Sequence, residues 1–205
     1  MKQNTIVIAV VALLIGGIGG YLIAGIGDYE MEGMDHSMMQ SNNAEYDRMP
    51  MGNMGGMDHS AMMVGSEREF VAGMIPHHQE AVDTANEVLA RGGSTPAIRT
   101  LAEEIVAAQE TEITMLKEWH LAWYGEEYVE EGSYQPMMRD LSELSGANLD
   151  RQFLEDMIPH HMGAIMMAQS VRPYIVHPEV TDIANAIMET QTAEIRLMRN
   201  LLTEL

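Results

Sequence analysis

Met74-Ile75-Pro76-His77-His78 and Met157-Ile158-Pro159-His160-His161 are one five-residue string written twice. The frame repeats with it: Phe70 and Phe153 each lie four residues before the methionine, and Ala81 and Ala85 match Ala164 and Ala168. Chance does not readily duplicate a string with adjacent histidines. The chain therefore carries a duplicated unit with the same imidazole and thioether groups in each half. Those two donors together favour soft or borderline transition metals, copper above all.

Outward from the two strings the sequence reads as helices. Ser66 and Glu69 form a capping box, and the helix they open runs to Arg91, before Gly92-Gly93. Thr95-Pro96 supplies an N-cap and a first-turn proline, and the second helix ends near Tyr124-Gly125. An acidic connection from Glu126 to Asn148 follows, with a short helix expected around Met137 to Leu144. The third helix is expected from near Asp150 to before Pro173, and the fourth from Pro178 to the C-terminus. Gln109-x-x-Glu112-Ile113 matches Gln191-x-x-Glu194-Ile195, so each half reads as an αα-hairpin. The expected fold is all-α: a four-helix bundle over 66–205, from repeats 66–125 and 149–205, with a long crossover.

Residues three and four apart share a helix face, so Met74 lies above His77 and His78, and Met157 above His160 and His161. Adjacent histidines point ~100° apart on a helix, so one of each pair can face inward while the other faces the flank. If the hairpins pack about a pseudo-twofold axis, these six residues approach one another as a mixed nitrogen–sulfur site. Pro76 and Pro159 each remove one helical hydrogen bond, costing ~3 kcal/mol if uncompensated; a bend there would aim the imidazoles, and a bend needed only for packing or a helix start nearer the proline is the alternative. Methionines at helical spacing are more often core than ligand, and Met115, Met188 and Met198 are assigned to the core. Met162, Met166 and Met167 fit either role. His177 reads as a helix-entry residue and His120 as a surface or end contact. Four buried imidazoles without partners would be costly. Gln109, Glu112, Gln191 and Glu194 could orient them, or simply bond between helices.

Before the bundle come two further regions. Residues 28–65 hold ten methionines between Met31 and Met63, set among Gly, Ser, Asn and Asp, and Val64 is their first branched aliphatic residue. Such a segment buries too little apolar surface to offset its ordering entropy, so a flexible tether is expected. Within it Gly33-Met34-Asp35-His36-Ser37-Met38-Met39 returns as Gly56-Met57-Asp58-His59-Ser60-Ala61-Met62-Met63. Met34, His36, Met38 and Met39, and then Met57, His59, Met62 and Met63, can wrap a single Cu(I) or Ag(I) ion; an incidental spacer is the alternative. Residues 5–27 carry no charge and are long enough to cross a bilayer. Lys2 precedes that run and Asp28, Glu30 and Glu32 follow it. Residues 1–27 are therefore expected to be a single-pass membrane anchor with its N-terminus in the cytoplasm and the body outside, in the periplasm or on the membrane's outer face. A cleaved signal is the alternative.

Composition narrows the chemistry. The 205 residues include 21 Met and no Cys, which excludes disulfides, thiolate zinc sites and iron–sulfur clusters. Thioethers bind soft metals in oxidising surroundings where thiols are lost, in keeping with an extracytoplasmic site. A formal charge of −20 disfavours nucleic acid as a partner. Phosphate loops, a nucleophile elbow and His-Glu-x-x-His are all absent from the sequence. Ferritin-like di-iron sites use Glu-x-x-His; here the spacing carries Met74-x-x-His77 and Met157-x-x-His160. A thioether in place of a hard carboxylate moves the preference from iron towards copper or silver.

The duplicated Phe-x-x-x-Met-Ile-Pro-His-His-x-x-Ala and the downstream Gln-x-x-Glu-Ile resemble the domain-of-unknown-function 305 family, which includes CopM-like periplasmic copper-binding proteins. The resemblance covers Ser66 to Leu205 and implies a ferritin-like four-helix bundle, export and copper binding or resistance. By motif match it points to Met74, His77, His78, Met157, His160 and His161. The expectation is a copper-binding protein for sequestration, trafficking or resistance, one that sequesters Cu(I) or Cu(II) or else passes it to an exporter or oxidase, and not primarily an enzyme. A redox enzyme on the same bundle and a metal-free interaction module are the alternatives.

Overall fold

The computed structural model describes residues 62–130, 132 and 134–205. Among them are four long helices: α1 (Glu67–Arg91), α2 (Pro96–Tyr124), α3 (Gly146–Ser170) and α4 (Pro178–Glu204), with a 3₁₀ turn at Arg172–Tyr174. No strand occurs among the described residues, and none of their helices is long and apolar enough to cross a membrane. The anchor expected at 1–27 and all but the end of the tether lie outside the described residues, and with them Met34, His36, Met38, Met39, Met57 and His59.

Helix boundaries follow local chemistry. The Ser66 hydroxyl accepts from Glu69 N at 3.1 Å, while the Glu69 carboxylate accepts from Gly65 N at 2.7 Å, one residue earlier than in the usual capping box. Thr95 caps α2 by accepting from Ile98 N, with Pro96 in the first turn. Gly125 ends α2 at φ 75°, a left-handed conformation that only a residue without Cβ adopts cheaply. The third helix starts at Gly146, earlier than expected near Asp150. Asp150 instead lies inside the helix, fully buried, and accepts from Gly93 N at 2.6 Å and Ser94 N at 2.7 Å. That carboxylate ties the α1–α2 turn to the first turns of α3.

The short helix expected around Met137 to Leu144 does not form; the segment holds only a turn at Ser142 and Glu143. Its amides serve side chains from elsewhere. Met137 N and Met138 N donate to the Glu80 carboxylate at 2.8 and 2.9 Å, and Arg139 N donates to Asp156 at 3.1 Å. Arg139 also pairs with Asp156 at 2.6 Å. Glu80 on α1 and Asp156 on α3 thus lay the crossover across both helices.

The core is aliphatic and methionine-rich, with Phe70 and Phe153 fully buried at equivalent places. Helix α1 packs chiefly on α2 and α3 on α4, while α1 against α3 joins the pairs. At one end Glu67 is buried and accepts from Val176 N, His177 N and His177 Nδ1 at 2.7, 2.8 and 2.6 Å. Those bonds outweigh burial, which alone would raise its pKa, and hold the carboxyl below its usual range. His177 stacks on Trp123 at 3.9 Å, and Trp123 on Trp119. Both helices with internal proline run unbroken past Pro76 and Pro159.

Candidate metal centre

The two five-residue strings meet where α1 and α3 touch. His77 and His160 face each other with ring centroids 3.8 Å apart. The His77 and His78 rings are 6.2 Å apart, and those of His160 and His161 are 6.3 Å apart. All four imidazoles form one cluster, each at most 1 % exposed. Both histidines of each pair face the interior, where one was expected on the flank. The first of each pair meets its counterpart at the centre, and the second turns to the neighbouring helix of its own hairpin.

Those neighbouring helices carry the matched glutamates. His78 Nε2 lies 2.7 Å from Glu112 Oε2, and His161 Nε2 lies 2.6 Å from Glu194 Oε2. The first contact is close but off-line for a hydrogen bond, so His78 Nε2 still counts among the buried atoms without one. At His161 the carboxylate hydrogen-bonded to Nε2 keeps the proton on that atom and leaves the Nδ1 lone pair pointing elsewhere. Nδ1 of both His78 and His161 is buried without a partner. Gln109 and Gln191 are buried too, but their Oε1 atoms have no partner. The glutamates of the repeated motif take the orienting role; no hydrogen bond gives it to the glutamine oxygens.

The central pair is less satisfied still. Neither ring nitrogen of His77 has a hydrogen-bond partner in good geometry. His160 Nε2 comes only within 3.4 Å of Glu80 Oε2, and its Nδ1 has no partner. Burial pushes the His77 pKa well down, and the neighbouring imidazoles push it further. Burial also lowers His160, to about 4, against the pull of Glu80. Both rings are therefore neutral at neutral pH, the form whose lone pair binds a metal. Buried polar atoms in native interiors normally find a partner, and nitrogens placed like these can take an ordered water or a bound ion.

Met74 and Met157 are fully buried on the same helix faces, one turn before the histidines. Met62 and Met63 sit at the described edge of the leader. Met63 is exposed at 59 %, whereas Met62 is half-buried with Sδ 3.2 Å from the place a Cβ would take on Gly163. The conservative reading of Met115, Met188 and Met198 as core holds, and Met167 joins them. His120 is buried, its Nδ1 bonded to the Glu126 carbonyl at 2.9 Å.

Three residues beside the cluster were missed from sequence. Glu80 gathers His160, the Tyr134 hydroxyl and the Met137 and Met138 amides. Burial opposes its charge, but these donors prevail and lower its pKa. Tyr134 sets its ring edge-on to His77 at 6.3 Å, and burial followed by the Glu80 carboxylate raises its pKa. Met137 brings its methyl within 3.4 Å of the same absent Gly163 Cβ. Overlaying the two strings offers one signal: Glu80 falls opposite Gly163, one of several differences between the copies along with Gly73 opposite Asp156 and Asp83 opposite Met166. Tyr134 and Met137 lie in the crossover, where no periodicity reveals them. An acid-lined cleft of about 760 Å³, with Glu69, Glu126, Glu127 and Glu130 on its walls, ends at Tyr134.

The chain is similar to several solved structures. The chain is similar to CopM solved in its Cu(I)-bound form, at 32 % identity and TM-score 0.62, over 68 % of this chain and 96 % of that one. It is likewise similar to CopM in an Ag-bound form obtained by co-crystallisation, at 33 % identity and TM-score 0.60, over 68 % and 96 % of the two chains. A DUF305 fragment from Deinococcus radiodurans matches at 32 % identity and TM-score 0.60, over 70 % and 99 %. Among curated proteins none matches. The family model described as "Domain of unknown function (DUF305)" matches residues 27–120 and 67–202, and the chain belongs to that family.

Proposed function

We propose that this protein binds copper outside the cytoplasm, for sequestration, trafficking or resistance, and that Cu(I) is held within the imidazole cluster. One observation carries the reading: four fully buried imidazoles meet at the bundle centre with most ring nitrogens unpartnered. Such a cluster is costly as a structural device; no three His, Asp or Glu side chains among the described residues already converge on one point, so the imidazoles and the neighbouring thioethers would close on the ion as it binds. His77 and His160 would supply the facing nitrogens. His78 and His161 would add Nδ1 donors fixed by Glu112 and Glu194. Met74 and Met157 would add soft sulfur from the same helix faces.

Support also comes from CopM, solved with Cu(I), Cu(II) and Ag bound. Silver is the expected surrogate, because a buried, neutral nitrogen–sulfur set suits a monovalent soft ion. The uncharged run at 5–27, the absence of cysteine and the methionine-rich 28–65 support an anchored, extracytoplasmic body whose leader gathers ions for the bundle. Delivery to an exporter or oxidase would follow from that position.

The test is a Cu(I) titration of the full chain against a competing chelator, repeated with His77→Ala/His160→Ala. Loss of the tightest site in the double variant is expected. Wild-type-like affinity in a variant that remains helical would remove the reading.

A further inference from the structure

We infer that Met62, Met137 and His77 form a loading site for a monovalent soft cation at the mouth of the buried cluster, held open by Gly163. The inference rests on the soft-metal reading of the cluster and names the way into it. A Cβ on Gly163 would lie 3.1 Å from His77 Nε2, 3.2 Å from Met62 Sδ and 3.4 Å from the Met137 methyl. One imidazole nitrogen and two thioether side chains therefore crowd a single point that only a missing side chain leaves free. His77 is fully buried, its Nε2 has no hydrogen-bond partner, and the two methionines are half-buried. The three form a ladder from the surface inward.

The fold holds each rung in place. Val64 N donates to Ser170 Oγ on α3 at 3.0 Å and Gly65 N to Glu69 on α1 at 2.7 Å, so the leader's end is tied to both helices. Gly163 is two turns before Ser170 on α3, where Met62 arrives. Met137 comes from the crossover, held by its amide bond to Glu80 at 2.8 Å. The same pairing makes the cluster two-faced. The place occupied by Glu80 in one copy, beside His160, belongs to Gly163 in the other, beside His77. His160 thus meets a carboxylate and His77 meets sulfur. A soft ion arriving from the leader would bind first on the sulfur side.

The experiment uses the full chain with ¹³C-labelled methionine methyls and ¹⁵N-labelled histidine rings. Silver(I) nitrate is added in chloride-free buffer, and Met62→Leu and Met137→Leu assign the two methyl signals. The Met62 and Met137 methyls should shift together with the His77 ring during the first equivalent. Gly163→Ala should remain folded, since Ala suits a helix interior better than Gly. Its new methyl fills the gap, so the Met62 response should disappear and Ag(I) affinity at His77 should fall about tenfold. A His77 shift with both methyls unmoved would overturn the loading site while leaving the cluster reading intact. A silent His77 ring would overturn both.

Discussion

Acidifying the metal-free protein probes the buried imidazoles directly. The pKa of His160 is lowered from 6.5 to about 4, chiefly by burial, and that of His77 moves in the same direction. A depressed value means that the folded state binds the proton less tightly than the unfolded chain does. Above 6.5 both states hold these rings neutral, and the folded state keeps its full margin. As pH falls below that value the unfolded chain takes up protons first, and stability drains until pH reaches the folded value. For His160 the gap corresponds to about 3 kcal/mol. Each ring that protonates only on unfolding contributes a slope of ~1.4 kcal/mol per pH unit. Glu67 and Glu80 act lower down: their pKa values are lowered from 4.5, so what they contribute is complete above that value and lost beneath it. Urea unfolding followed by circular dichroism, at several pH values from ~7.5 to ~5, isolates the imidazole window. His160→Asn should flatten the slope there. An unfolding free energy that stays level across the interval in the parent, or a slope unchanged by the substitution, would refute the reasoning.

Further outcomes follow from particular contacts. Asp150→Ala leaves the Gly93 and Ser94 amides without their acceptor and should cost about 2–3 kcal/mol, read as a lower urea midpoint with an unchanged denaturant slope. Glu67→Gln retains the shape but loses the charge that three donors converge on, and should cost about 1–3 kcal/mol near neutral pH and progressively less as acid protonates the parent. Met74→Leu with Met157→Leu nearly conserves buried volume, so the metal-free protein should stay within about 1.5 kcal/mol of the parent for each change; Cu(I) affinity in the chelator competition should still fall. Silver at a hundredfold excess over its dissociation constant should stabilise the parent by about 2.7 kcal/mol in the same unfolding assay, and the His77→Ala/His160→Ala variant by much less.

Much of the architecture was legible because helix grammar is local. Ser66, Thr95-Pro96 and Gly125 mark ends by what their own backbone and side chains do, and the structure places those ends where the residues predict. The crossover was not legible, since its conformation is imposed from a distance. Met137 and Met138 spend their amides on Glu80, and Arg139 spends its amide on Asp156, so a plausible short helix loses to carboxylates on α1 and α3. The candidate centre divides the same way. Paired histidines and matched glutamates stood out because they are duplicated. Glu80, Tyr134 and Met137 did not, because each occurs once and acts through packing rather than through spacing. Asp150 looked like the start of a helix and is a buried brace between hairpins instead.

The Glu80–Gly163 difference also bears on why two like hairpins should share one polypeptide. A homodimer of a single hairpin is bound by its rotation axis to repeat every residue, so a carboxylate beside one central ring would demand another beside its mate. Covalent fusion lifts that obligation. Once joined, each half can mutate alone, and a polarity from sulfur to oxygen can be written across a centre that symmetry would otherwise hold uniform.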